Sequence, residues 1–206
     1  PLESELVTMS NTILTGEAAA DILAAMQKAG LNGWEMFVPE GVEEIAPGAF
    51  AGMKNLRRVQ LPKTLRRIGA AAFYGCENLT QITLPAGLVE LGTAAFKNSG
   101  LQEVSVPTRA LKLGCEVFAD SALRCAEIKG RQTGEAMFRG CRQLTKLQLN
   151  SNTRKIEAGM FRDCAALKTL RLPEKLEQIG IEAFAGCGAL ERPVSYTHLT
   201  LPTNSL

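Results

Sequence analysis

The sequence predicts an α/β solenoid: a stack of similar coils, each contributing one short parallel strand, a turn and a short helical segment. Three observations carry that reading. Seven phenylalanines (Phe50, Phe73, Phe96, Phe118, Phe138, Phe161 and Phe184) recur at intervals of 23, 23, 22, 20, 23 and 23 residues. A second set of apolar positions keeps step with them, and a proline usually closes that set. A unit of about 23 residues cannot enclose its own apolar face, so the units have to share one interior with their neighbours.

Residues 1–30 stand outside this ruler. Thr15-Gly16-Glu17, then Ala18, Ala19, Ile22, Leu23 and Met26 up to Gly30, give a capped helix with a glycine stop, suited to covering the open end of a stack. Met36 and Val38-Pro39 match the strand end of a partial leading unit. The solenoid is expected over residues 31–192, in about seven units.

Within a unit the strand comes first. Leu56, Val59 and Leu61 are repeated as Leu79, Ile82 and Leu84; as Leu101, Val104 and Val106; as Leu123, Ala126 and Ile128; as Leu144, Leu147 and Leu149; and as Leu167, Leu170 and Leu172. Their apolar-x-apolar end has the period of two that turns both side chains to one face of a strand. Pro62, Pro85, Pro107 and Pro173 follow, lacking the backbone donor that would prolong the ladder. Parallel strands ~4.8 Å apart would form a sheet roughly 30 Å along the axis, on the inner wall of a curved, right-handed superhelix.

Next comes the turn and short helical segment, as in Leu65-Arg66-Arg67-Ile68-Gly69-Ala70-Ala71-Ala72-Phe73, where the glycine allows a tight bend. The phenylalanine then enters the interior opposite the strand and stacks on its equivalents. Two intervals are short, 22 and 20 residues, with Lys129-Gly130-Arg131-Gln132-Thr133 replacing the proline turn. A tolerated loop deletion is the leading reading of this joint, and a ligand notch is the alternative.

After Phe184 the pattern breaks, with Pro193 and Tyr196 where a ladder residue and a proline are due. Residues 193–206, Pro193-Val194-Ser195-Tyr196-Thr197-His198-Leu199-Thr200-Leu201-Pro202-Thr203 and onward, look like the conceptual translation of a sequencing adapter. They are expected to be a non-native tail on a fragment.

Composition narrows the function. The 206 residues are 46% hydrophobic, and no apolar run reaches the ~18–20 residues that cross a bilayer. A net charge of +2 gives no general drive toward nucleic acid or an anionic membrane. Arg57, Arg58, Lys63, Arg66 and Arg67 form a local exception, read as solvated turns with an anion patch as the alternative.

Of six cysteines, Cys76, Cys141, Cys164 and Cys187 fall three residues after a ruler phenylalanine, where other units have Met53, Ser99 and Ser121. That position reads as a column of reduced, buried thiols, since stacked side chains point the same way rather than at each other. Cys115 and Cys125 lie off the column. No C-x-x-C pair supports a metal, and no cofactor is expected. His198, in the suspect tail, is the single histidine, which removes histidine-dependent catalysis from the rest of the chain. Carboxylate pairs such as Glu43-Glu44 read as solvated surface, and no phosphate-loop motif is present. The chain is therefore not expected to be an enzyme.

The pattern A-F-x-G-C-x-x-L-x-x-I-x-L-P-x-x-L-x-x-I-G is written out in Ala72-Phe73-Tyr74-Gly75-Cys76 through Ile82-Thr83-Leu84-Pro85, and begins again at Ala183-Phe184-Ala185-Gly186-Cys187. It resembles the BspA-type leucine-rich repeat family over residues 36–192. The resemblance implies a curved leucine-rich-repeat solenoid, often on the surface of host-associated microbes or secreted by them, with adhesion and host-protein binding among its roles.

The leading expectation is a monomeric protein-binding module that uses the inner strand face, with a host extracellular protein as a candidate partner and neither nucleic acid nor membrane insertion. Outward strand positions nominate Arg58, Gln60, Gln81, Thr83, Glu103, Ser105, Lys146, Gln148, Thr169 and Arg171. The alternative is a passive spacer or stalk in a larger surface protein.

Overall fold

A computed structural model of the chain describes residues 13–28 and 35–191. The array opens with β1 (Ile13–Leu14), α1 (Gly16–Lys28) and β2 (Glu35–Phe37). Thr15 caps the helix: its Oγ1 accepts from the Ala18 N–H at 3.2 Å, satisfying a donor that has no partner within the helix. Glu17 in the first turn and Lys28 in the last suit the helix dipole. Ala19 and Ile22 are buried in the shared core. The helix thus stands in the leading coil where later coils place their phenylalanine turn. Gly30 and the 193–206 tail lie outside the described residues.

Most coils carry two short strands where the sequence predicts one; the coil after Phe118 has only the first and the coil after Phe161 only the second. The first series is β4 (Arg58–Gln60), β6 (Gln81–Ile82), β8 (Glu103–Val106), β10 (Cys125–Ile128) and β11 (Lys146–Leu149). The second is β3 (Glu44–Ile45), β5 (Arg67–Ile68), β7 (Glu90–Leu91), β9 (Lys112–Leu113), β12 (Lys155–Ile156) and β13 (Gln178–Ile179). All paired strands are parallel. The first series joins β2 to make two three-stranded sheets, β2-β4-β6 and β8-β10-β11, rather than one unbroken sheet. The second makes a five-stranded sheet from β1 to β9, then a separate pair, β12-β13.

The predicted helical segment around each phenylalanine is not a helix. It is a hydrogen-bonded turn with two left-handed residues, as at Ala71 (φ 52) and Gly75 (φ 68) around Phe73, or Ala94 (φ 55) and Asn98 (φ 56) around Phe96. Alternate N–H groups bond to the next coil instead of within the segment: Ala71 N to Thr93 O, Phe73 N to Ala95 O and Gly75 N to Lys97 O, at 2.8–2.9 Å. Left-handed backbone costs an alanine roughly 1–2 kcal/mol. Three cross-coil bonds at each turn from Phe50 to Phe161 offset that cost.

The glycine before this turn serves close approach, not a bend. A Cβ on Gly69 would sit 2.5 Å from Pro47 N, and on Gly92 2.4 Å from Ala70 N. At those positions one coil lies directly on the backbone of the one before.

The phenylalanines form the stack that the ruler implies. Their ring centroids are 4.8, 5.0, 5.5, 5.7, 5.9 and 5.4 Å apart along the chain, with interplanar angles of 2–16°. Around them the leucine, valine and isoleucine columns form one continuous core. Prolines end the first strands as expected, and each carbonyl then accepts a turn bond, as Pro62 O does from Leu65 N at 3.2 Å. Where the proline after Leu149 is missing, Asn150 replaces it. Its carbonyl receives Thr153 N at 3.0 Å and its Nδ2 donates to Lys129 O of the preceding coil at 2.6 Å.

Candidate functional site

The first strand series alternates ladder residues turned to the core with side chains turned outward. Register places Arg58 beside Gln81, Glu103 beside Cys125 and Ser105 beside Glu127, and Lys146 and Gln148 on the far side of Cys125 and Glu127. These positions form two rows of polar side chains across the coils.

An open concavity of about 1070 Å³ lies over the C-terminal part of those rows. Seven nominated residues line it: Thr83, Glu103, Ser105, Lys146, Gln148, Thr169 and Arg171. Arg58, Gln60 and Gln81 do not; they belong to the N-terminal sheet. Thr169 and Arg171 line the concavity although their segment is not a strand. A second open space of about 840 Å³ adjoins the first at the strand ends, floored by Leu147, Leu149 and Leu172.

The nominated set omitted Cys125 and Glu127, which occupy the outward positions of β10 and line the same concavity. The signal was available, because Cys125 falls on the row of Glu103 and Lys146. Its thiol is half-exposed. Glu127 is held in place by Ser105 Oγ, which donates to its Oε2 at 2.8 Å, and by Lys129 Nζ at 3.7 Å.

The four column cysteines are buried or half-buried, and all six cysteines are free. Each column thiol donates to the phenylalanine carbonyl one coil back: Cys76 to Phe50 at 3.1 Å, Cys141 to Phe118 at 3.1 Å, Cys164 to Phe138 at 3.2 Å and Cys187 to Phe161 at 3.0 Å. Burial pushes the Cys76 thiol up to about 12, the Cys141 and Cys187 thiols up to about 11, and Cys164 upward as well. Buried thiols of this kind pack as small apolar groups.

The basic cluster does not gather into an anion patch. Arg58 stands in the outward rows of the first strand series, where it lies 3.6 Å from Glu35 and donates to Gln81 Oε1 at 3.1 Å. Arg67 lies on the second sheet and binds Glu44 at 2.6 Å, and Arg66 donates to the Lys63 carbonyl at 2.9 Å. Glu44 is therefore engaged by Arg67 rather than freely solvated. No group of His, Cys, Asp and Glu able to hold a metal occurs among the described residues.

Parallel coils with a leucine ladder, a stacked phenylalanine spine and an open polar strand face define a leucine-rich-repeat β-solenoid. Residues 30–133 and 128–201 match the BspA type leucine rich repeat region in 6 copies, and the chain belongs to that family. Its fold is similar to a leucine-rich repeat protein of Bacteroides ovatus (26% identity, TM-score 0.65, 74% of this chain and 40% of that one). It is also similar to the T. pallidum leucine-rich repeat protein (29% identity, TM-score 0.64, 77% and 78%). A leucine-rich repeat protein of Eubacterium ventriosum shares the fold at 22% identity (TM-score 0.63, 86% and 48%). The chain thus spans less than half of the Bacteroides and Eubacterium structures. No curated protein matches it. Leucine-rich repeats of this kind are generally protein-interaction modules, and among the described residues no helix is long and apolar enough to cross a membrane.

Proposed function

We propose that this chain is a non-enzymatic protein-recognition module of a cell-surface or secreted protein, and that it binds its partner through the inner strand rows. The observation that carries this reading is the convergence of seven nominated side chains, of mixed charge, on one wide, shallow concavity. Small-molecule sites are usually enclosed, whereas an open face that mixes polar and apolar side chains suits an extended protein contact. An extracellular protein of a host is the partner class that the family resemblance suggests.

The test is capture of the chain by an immobilised panel of extracellular-matrix proteins, followed by surface plasmon resonance. Reversing Arg58, Lys146 and Arg171 to Glu is expected to weaken capture at least tenfold. The same change in charge at Arg67, Lys112 and Lys155, exposed on the second strand series, is expected to leave it unaltered. Equal losses in both variants, or none in either, would place the binding surface elsewhere. A chain that captures no panel member would instead favour the spacer reading.

A further inference from the structure

The charged groups of the inner face differ in whether the protein itself already engages them. Arg58 is held by Glu35 and Gln81, and Glu127 by Ser105 and Lys129. At Lys146 no ion pair or side-chain hydrogen bond is formed among the described residues, nor at Glu103. Arg171 lies 3.9 Å from Glu174 with both side chains strongly exposed, at 88% and 72%, an arrangement that contributes next to nothing. The concavity therefore carries two uncommitted cations at its C-terminal side and one uncommitted carboxylate across from them.

Their spacing is set by the stack. Lys146 and Thr169 each stand eight residues after a ruler phenylalanine (146 − 138 and 169 − 161), while Gln148 and Arg171 each stand ten after (148 − 138 and 171 − 161). All four line the concavity, and their offsets on adjacent coils set them two by two, with the cations on one diagonal of the square and the amide and hydroxyl on the other. At ordinary strand spacing and rise that diagonal is ~8 Å, so two long flexible cationic arms can close on a single carboxylate while Gln148 and Thr169 offer neutral donors. Glu103 lies two strands from Lys146 in the same row, through Cys125, or ~10 Å at the usual strand spacing. From Glu103 to the middle of the square is ~12 Å.

Resting on the inner-face reading, we propose that the occupant is an extended segment of a partner protein with an acidic side chain seated in the Lys146–Arg171 square and a basic side chain at Glu103. Residues four apart share a face of an extended chain and lie ~13 Å apart, which fits that span. A uniformly acidic segment meets the Glu103 carboxylate and is disfavoured. The segment crosses the strands along the array axis, so the coils read its successive side chains.

The test uses the whole chain and fluorescein-labelled heptapeptides in anisotropy titrations. The probe is Ser-Lys-Ser-Thr-Ser-Glu-Ser, compared with one form whose Glu is Gln and another whose Lys is Glu. The parent peptide is expected to bind at least tenfold more tightly than either, and Lys146→Glu with Arg171→Glu to remove that preference. Lys112→Glu with Lys155→Glu, an equal change of charge on the second strand series, is expected to leave it intact. Equal binding of the Glu and Gln peptides, or equal losses in both double variants, would overturn the assignment. So would a sulfated polysaccharide that binds more tightly than the peptide and is lost in the Lys146/Arg171 variant. Loss of matrix-protein capture on reversing Arg58, Lys146 and Arg171, together with indifference to peptide charge, sinks this assignment and leaves the inner-face reading standing.

Discussion

The coils from Phe50 to Phe96 and those from Phe118 to Phe161 are built on the same pattern but are not packed alike. In the first group the rings lie 4.8 and 5.0 Å apart and within 4° of parallel, and both strand series continue from coil to coil. In the second the spacing opens to 5.7 and 5.9 Å. There the second strand series is interrupted, because the 20-residue coil has no strand between β9 and β12. The column eight residues before each phenylalanine changes at the same place, from Val42, Leu65 and Leu88 to Ala110, Gly130 and Thr153, before Leu176 restores it. The missing strand of the 20-residue coil thus coincides with the middle of a thinned stretch of that core column.

Polar contacts span the joint instead. Glu116, in left-handed backbone at φ 55, binds Lys97 of the coil before at 2.7 Å and Arg139 of the coil after at 2.6 Å. Thr133 Oγ1, where other coils place isoleucine or leucine, donates to Lys155 O at 2.9 Å. The apolar core runs through both regions, and at the joint side-chain bonds between coils supplement its thinned column.

The largest effect is expected from the phenylalanine stack. Phe73→Ala and Phe138→Ala should each cost ~3–5 kcal/mol, with Phe73 at the upper end, since closely stacked surroundings collapse least around a void. Chemical denaturation followed by circular dichroism would measure both, and a greater loss at Phe138 would contradict a looser joint.

Next in size is Thr153, fully buried with an Oγ1 that has no partner. Thr153→Val keeps the shape and removes an unsatisfied hydroxyl, so it should stabilise the chain by about 1–2 kcal/mol, seen as a rise in Tm. A fall in Tm would mean that the hydroxyl is engaged after all.

The smallest effect belongs to Glu116. Its carboxyl is held below the usual range, first by the hydrogen bond from Lys97 and then, against partial burial, by the charge of Arg139. A depressed carboxylate pKa contributes stability above the unfolded value of about 4.3 and loses it as pH falls through the folded value. The wild-type protein should therefore exceed Glu116→Gln by about 0.5–1 kcal/mol at neutral pH, discounted for exposure. That margin should shrink below about pH 4 and vanish on further acidification. A margin independent of pH would assign the effect to packing.

Much of this was legible in the residues. The phenylalanine ruler and the leucine positions place the core, and the thiol column follows from Cys76, Cys141, Cys164 and Cys187 sharing one offset. Seven of the ten inner-face residues meet at one concavity for the same reason, because a two-residue period along parallel strands fixes their side. Cys125 and Glu127 were missed by leaving one coil out of the rows, not for want of signal.

The sequence by itself determined what repeats: the period, the inward columns and the outward rows, each residue's side being set by its offset from the nearest phenylalanine. Only the tertiary structure decided how the backbone between them is bonded. Gly-Ala-Ala-Ala-Phe favours a helix by local propensity, yet Ala71 is left-handed, because its N–H gains a partner in the next coil that a short isolated helical turn cannot supply. Such a bond depends on residues 22 positions away, as does the separation of Arg58 and Arg67 onto different strand series. Local pattern selects what lies inside; the stack selects which donors and charges meet.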